Sequence, residues 1–121
     1  MNGAVGQIVY VRLAARVPPG HEQEGARPCV LVGDPANAGR PRFGMVLVAP
    51  LTTFRGQNWQ AASPSLYPVL SSGTAGIAVD SIVLLDQTQA ADVARIASLV
   101  GVLSPQEYLP IESGLRLVCS I

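Results

Sequence analysis

The sequence predicts a mainly β domain, a small and strongly bent antiparallel barrel closed by one C-terminal helix. Three observations predict it. Along most of the chain the apolar segments are short and separated by turn residues, the pattern of an all-β domain. One helical signature, near the C-terminus, combines an N-cap residue, a proline and a capping-box acid. The chain has 121 residues, 49% of them hydrophobic, which is material for one core and not two. Residues 1–121 therefore read as a single domain.

The elements follow in order. Residues 5–13 (VGQIVYVRL) are β-branched and alternating, as in a strand. Residues 14–27 are polar and contain Pro18, Pro19 and Gly20; so long a connection in a small domain is usually functional or mobile. Residues 28–32 are apolar on both faces and predict a central strand. Residues 34–42 (DPANAGRPR) carry the Asp-Pro, Asn and Gly of a loop. Residues 43–51 predict a third strand, ended by Pro50. Residues 53–64 are polar and hold the only tryptophan, Trp59. Residues 66–70 predict a weak edge strand, since Pro68 lacks a ladder donor, and residues 71–73 a turn. Residues 79–87 (VDSIVLLDQ) predict a strong strand. Residues 93–99 fit a strand or a short helix. From Ser104, with Pro105 in the first turn and Glu107 completing the box, a helix is predicted. Tyr108, Ile111, Leu115 and Val118 share one face, while Pro110 and Gly114 weaken the helix and Pro110 predicts a kink.

Composition sets limits on function. Eight basic and eight acidic residues cancel, so any nucleic-acid site must be a local patch rather than a whole-molecule field. The basic residues are all arginine, whose planar fork matches phosphate or carboxylate. Only 13% of residues are charged and mean hydropathy is +0.36, which excludes disorder. Cys29 and Cys119 lack the spacing of a zinc site or a disulfide framework, and Cys29 sits in an apolar run as a small buried hydrophobe. No apolar run approaches the roughly 18 residues of a membrane span, and Met1-Asn2-Gly3-Ala4 does not start a secretory leader. A cytoplasmic, reduced domain is the expectation, with no metal or cofactor.

Three segments fall in a specific order. The first is Gly20-His21-Glu22-Gln23-Glu24-Gly25-Ala26-Arg27-Pro28 ahead of a β-run. The second is Val48-Ala49-Pro50-Leu51-Thr52-Thr53 closing the third strand, and the third runs from Val79-Asp80-Ser81 to Asp86-Gln87. Together they resemble the MazF/PemK family of toxins from bacterial toxin–antitoxin pairs, over nearly the whole chain. The resemblance implies an SH3-like barrel of the MazF/PemK/CcdB type, a homodimer, and metal-independent, sequence-selective cleavage of single-stranded RNA. It also implies a cognate MazE-like antitoxin whose partly acidic tail covers the site. The family's essential arginine falls on Arg27 and its essential threonine on Thr52, with Glu22 and Gln23 in the mobile first loop.

The chemistry suits those residue types. The ribose 2′-OH attacks the adjacent phosphorus and the 5′-oxygen leaves, so DNA, lacking that hydroxyl, resists. Negative charge gathers on the non-bridging oxygens, where the Arg27 guanidinium can donate two hydrogen bonds and Thr52 a third. His21, the only histidine, and Glu22 are the candidate general bases. Thr53, Arg55, Asp80, Ser81 and Gln87 are candidate RNA contacts, with Gln23. Phe54 and Trp59 can stack on unpaired bases or pack under their own loop.

The chain departs from the family in two places. After Asp86-Gln87 the family commonly continues with an apolar and a basic residue, whereas this chain reads Thr88-Gln89-Ala90-Ala91-Asp92. The Pro18-Pro19 pair stiffens the first loop. The first departure fits a degenerate member that only binds RNA or its antitoxin. A gyrase poison of the CcdB type would need a tryptophan near the C-terminus, and this chain ends Val118-Cys119-Ser120-Ile121.

Overall fold

A computed structural model describes residues 5–18 and 20–121. Residues 1–4, on which the expectation about a leader falls, and Pro19 of the first loop lie outside the described residues. The elements are β1 (Gln7–Leu13), β2 (Gly25–Gly33), β3 (Met45–Thr53), α1 (Asn58–Ala62), β4 (Val69–Leu70), β5 (Ser81–Val83), β6 (Gln89–Asp92), β7 (Ile96–Val102) and α2 (Pro105–Cys119).

All strand pairs are antiparallel, in the order β4-β5-β3-β2-β1-β7, with β6 also on β3. Strand β3 organises the sheet. One edge pairs with β2; the other is divided, with Met45–Val48 on β6 and Leu51–Thr53 on β5. Pro50 stands where the outer partner changes. Its carbonyl accepts from the Leu84 N–H at 2.9 Å, so its ring nitrogen also faces that outer edge, where β6 has ended and β5 has not begun. The expected stop at Pro50 is therefore corrected: the strand runs through it to Thr53, because the missing donor falls in a gap of the ladder.

Other expectations shift for equally local reasons. Strand β2 begins at Gly25, not residue 28, where glycine adopts φ +80°. Only Ser81–Val83 of the predicted strand 79–87 pairs; Leu85–Gln87 forms a 3₁₀ turn. The segment 66–70 contributes two strand residues, and the loop 53–64 contains α1. Residues 93–95 are a 3₁₀ turn, followed by β7.

The central strands are buried on both faces, as their apolar runs predicted. One face packs Ile8, Val30, Leu51, Val83 and Leu85 against Ile111 of α2. The opposite face packs Val9, Val11, Cys29, Leu31, Val46 and Val48. The sheet curls into a half-barrel. The turn at Thr74–Gly76 reaches β7 so closely that a Cβ at Gly101 would collide with the Ala75 carbonyl oxygen.

Helix α2 starts as predicted. Ser104 Oγ accepts from the Glu107 N–H at 3.1 Å, and Glu107 Oε1 accepts from the Ser104 N–H at 2.8 Å. The helix is assigned continuously through Pro110, and Val118 of its predicted apolar face is exposed. Gly114 is a close approach rather than a weakness, since a Cβ there would strike the Ser65 carbonyl oxygen and Leu85 Cδ1.

This packing makes Gly114 and Cys29 testable. Gly114→Ala gains about 1 kcal/mol of helix propensity, but overpacking against backbone costs roughly 1–3 kcal/mol. A lower urea midpoint is expected, and an unchanged or higher one contradicts the close approach. Burial pushes the Cys29 thiol from 9.0 up to about 12, against a smaller opposing pull from Arg27, and burial also lifts Tyr108 from 10.0 to about 12. Below 9.0 the Cys29 proton is bound in folded and unfolded chain alike. Above that the unfolded chain releases it first, so stability falls as pH rises towards 12, with Tyr108 adding its share from 10.0. Urea midpoints followed across that range in wild type and Cys29→Ala test this; the variant's alkaline decline should be shallower.

Candidate active site

Arg27 is the third residue of β2 and Thr52 the eighth of β3. The β2–β3 ladder pairs Leu31 with Val48, Val30 with Ala49 and Cys29 with Pro50. Continuing that register two residues sets Arg27 opposite Thr52, and cross-strand partners share a face. The face is that of Cys29, and Arg27's charge is felt at the Cys29 thiol. Arg27 Nε donates to the Glu24 carbonyl at 3.1 Å, which turns the guanidinium back along its own chain. Among the described residues neither Nη makes a hydrogen bond, and no carboxylate forms an ion pair with Arg27. The guanidinium is half-buried, held at one nitrogen and available at two.

Two adjoining hollows share Thr52 as a wall. The smaller, about 180 Å³, is lined by Arg27, Thr52, Thr53 and Ser81 among others. The larger, about 320 Å³, is lined by His21, Gln23, Thr52, Trp59, Tyr67, Leu84, Asp86 and Gln87. Thr52 thus joins the cation to a wider cleft of mixed aromatic and amide character.

The first loop is strapped to this cleft by one side chain. Gln87 Nε2 donates to the His21 carbonyl at 3.3 Å, and Gln87 Oε1 accepts from the Gln23 N–H at 3.3 Å. Gln87 therefore positions the loop as well as lining the cleft. His21 is exposed, and Gln23 Oε1 is buried without a partner. Glu22 is exposed, folds over Gly20 and lines neither hollow.

The remaining sequence candidates divide. Trp59, on α1, packs edge-on to Tyr67 with ring centroids 4.7 Å apart and still exposes 44% of its surface. Its ring packs on Tyr67, beyond its own loop, and keeps an exposed surface. Phe54 is half-buried and its N–H donates to the Asp80 carbonyl at 2.8 Å. Arg55 is exposed, its N–H held by Gln57 Oε1 at 2.7 Å. Neither Phe54 nor Arg55 lines a hollow. Asp80 Oδ1 caps the Ser72 N–H at 2.8 Å. Ser81 is buried and donates its hydroxyl to the Val79 carbonyl at 2.8 Å, so its oxygen borders the smaller hollow already engaged.

Sequence reasoning did not single out Tyr67 or Asp86 as site residues. The Tyr67 hydroxyl donates to Asp86 Oδ2 at 2.6 Å. That hydrogen bond, then partial burial and the carboxylate charge, raise the hydroxyl above its ordinary 10.0, so it remains a donor at neutral pH. A tyrosine placed among turn residues needs a partner for its polar tip, and that was the available signal. Among the described residues no group of three or more His, Cys, Asp or Glu side chains is placed to hold a metal ion.

The site thus sits on a half-barrel sheet closed by one C-terminal helix. A model of the PemK-like, MazF-like toxins of type II toxin–antitoxin systems matches residues 4–119, and the chain belongs to that family. No curated protein sequence matches it significantly. Solved structures share the fold. A MazF from Deinococcus radiodurans superposes with a TM-score of 0.72 at 19% identity, covering 97% of this chain and 96% of that one. The toxin MazF-mt6 of Mycobacterium tuberculosis gives 0.66 at 20% identity, covering 95% and 97%. A mycobacterial endoribonuclease in complex with its cognate antitoxin gives 0.66 at 17% identity, covering 96% and 93%.

The strap predicts a local effect. Gln87→Ala should speed amide exchange in residues 21–24 while leaving the β2 core amides protected. Unchanged exchange in that loop would show that Gln87 does not hold it.

Proposed function

We propose that this toxin is an endoribonuclease that cuts single-stranded RNA at selected sequences without a metal ion, through attack of the 2′-OH on the neighbouring phosphorus. The observation that carries the reading is the pairing of Arg27, with two unengaged guanidinium nitrogens, and Thr52 on one strand face beside a cleft. Membership of the toxin family supports it, as does the likeness to a mycobacterial endoribonuclease.

In this reading a backbone phosphate enters the smaller hollow. Arg27 donates one hydrogen from each Nη to the non-bridging oxygens, and Thr52 Oγ supplies a third donor. Their interaction strengthens as charge gathers on those oxygens in the transition state. His21 takes the 2′-OH proton, because it borders the same cleft as Thr52, whereas Glu22 lines neither hollow. The 2′-oxygen–phosphorus bond forms and the phosphorus–5′-oxygen bond breaks. The departing oxygen takes a proton from water, and the hydroxide so formed takes back the proton held by His21, leaving a 2′,3′-cyclic phosphate and a 5′-hydroxyl end. Gln23 and Trp59, which line the larger hollow, meet the flanking bases.

The active form proposed is a homodimer, silenced by a MazE-like antitoxin segment that orders over the Arg27–Thr52 rim on binding. Among the described residues no helix is long and apolar enough to cross a membrane, and the proposed site of action is the cytoplasm.

The test is digestion of a defined transcript in the presence of a chelator. Wild type should yield discrete fragments with 5′-hydroxyl ends. Arg27→Ala should lose roughly 10²–10³ in kcat, the scale of removing one oxyanion donor, with an unchanged urea midpoint. Intact RNA with wild type, or full activity in Arg27→Ala, would overturn the reading.

A further inference from the structure

A pair of arginines lies beside the cleft and takes no part in the chemistry above. A hollow of about 290 Å³ between the end of β1 and β6 is lined by Arg16 and Arg95, together with Leu13, Met45, Gln89 and Asp92 among others. Arg16 Nη2 donates to Gln89 Oε1 at 2.9 Å, while Arg16 Nε is buried with no partner. Arg95 is exposed, and its Nη1 reaches no further than the Arg12 carbonyl at 3.5 Å.

Two carboxylates stand near these arginines, and both are committed to main-chain donors. Glu24 Oε2 accepts from the Arg16 N–H, and Asp92 Oδ1 accepts from the Ala94 N–H at 2.9 Å. Among the described residues neither forms an ion pair with Arg16 or Arg95; Arg116–Glu112 is the ion pair present. The hollow thus presents two guanidinium groups, and the Nε of one of them, Arg16, is buried without an acceptor. An anion with several acceptor oxygens would satisfy them.

The hollow is joined to the cleft by a chain of amides. Gln89 Nε2 donates to the Gln87 carbonyl at 3.2 Å, and the Gln87 side chain holds His21 and Gln23. Positions 87 and 89 lie at most about 7 Å apart along the backbone. A phosphate seated on Arg16 would therefore stand about one nucleotide step beyond the groups that line the cleft.

We propose that the Arg16–Arg95 hollow is a phosphate subsite for a flanking nucleotide of the RNA strand. The proposal rests on the reading of the chain as an RNA-cleaving toxin, and it adds where the strand runs after leaving the Arg27–Thr52 rim: past Gln87, towards β6. Arg16 is the principal contact and Arg95 the outer one. An acidic peptide is the rival anion, and the continuous run of amides from the cleft favours the nucleic-acid strand.

The experiment compares full-length wild type with Arg16→Gln/Arg95→Gln. One arm measures cleavage of a defined transcript. The other measures binding of a fluorescent single-stranded RNA by anisotropy across a salt series, in an Arg27→Ala background so that the RNA survives. The double variant should raise KM and Kd roughly tenfold or more, the scale of removing a charge-assisted hydrogen bond, with the effect on KM rather than kcat. The slope of log K against log salt should become shallower by about 0.7 for each phosphate no longer neutralised. Adding Gln89→Arg to the double variant should restore affinity, which separates missing charge from impaired folding.

Unchanged affinity and salt slope in the double variant overturn the subsite. So does a failure of Gln89→Arg to restore affinity to a weakened double variant. Unchanged RNA binding with weakened binding of a polyglutamate peptide overturns it in favour of an acidic protein segment. A wild type that cuts no RNA sinks the catalytic reading instead, and the anisotropy arm still decides whether the hollow binds the strand.

Discussion

The register of β2 against β3 is the constraint on which the site depends. The pairing of Cys29 with Pro50, continued outward, sets Arg27 opposite Thr52. Because side chains alternate, a slip of one residue would turn Arg27 towards the helix-covered core and bring Pro28 beside Thr52. The register is held by burial on both faces: Val30 and Ala49 must face α2, while Cys29, Leu31 and Val48 must face the opposite cluster. The same packing that stabilises the domain therefore places the cation beside the hydroxyl.

The divided outer edge of β3 is the second device. Had one strand covered that whole edge, Pro50 would have left a hole in its ladder. Two short partners leave the proline in the interval and send the chain after β5 back across the sheet. That return carries Leu84, Asp86 and Gln87 to the cleft. The 3₁₀ turn at Leu85–Gln87, which replaces the second half of the predicted strand, lets Leu85 pack under α2 while Asp86 and Gln87 reach the cleft. A regular strand of the predicted length would have continued along one ladder instead of turning at the cleft.

What was legible in the sequence was local. The capping box at Ser104 and Glu107 and the two-sided apolar run ending in Val32 are written in neighbouring residues, and each formed. The order of the motif segments marked Arg27 and Thr52 as candidates, and the β2–β3 register, continued, sets them opposite each other. What was not legible was long-range. Tyr67 meets Asp86 across nineteen residues, and Arg16 meets Gln89 across seventy-three. Nothing in Thr88-Gln89 signals that a guanidinium from the first loop will lie on that amide. The run that looks short of a cation in one dimension has one in three. Pro50 misled for a related reason: a proline's cost in a strand depends on whether a partner faces its nitrogen, and that is settled by topology.

Zero net charge also hides how the charges are deployed. Asp34, Asp80, Asp92, Glu24 and Glu107 each accept a main-chain N–H, and Asp86 accepts the Tyr67 hydroxyl. Glu112 pairs with Arg116 in the one ion pair among the described residues. The acids are thus engaged largely at turns, caps and one tyrosine, where a carboxylate oxygen satisfies a donor that the fold would otherwise leave bare. The arginines of the first loop and of β2 are left without ionic partners among the described residues. Local field depends on how charges are paired rather than on their sum, so a chain that is neutral overall can still present separate cationic points in neighbouring hollows. Arg27 borders the smaller hollow beside Thr52, and Arg16 lies on Gln89, two residues past Gln87, so the two cations serve separate hollows.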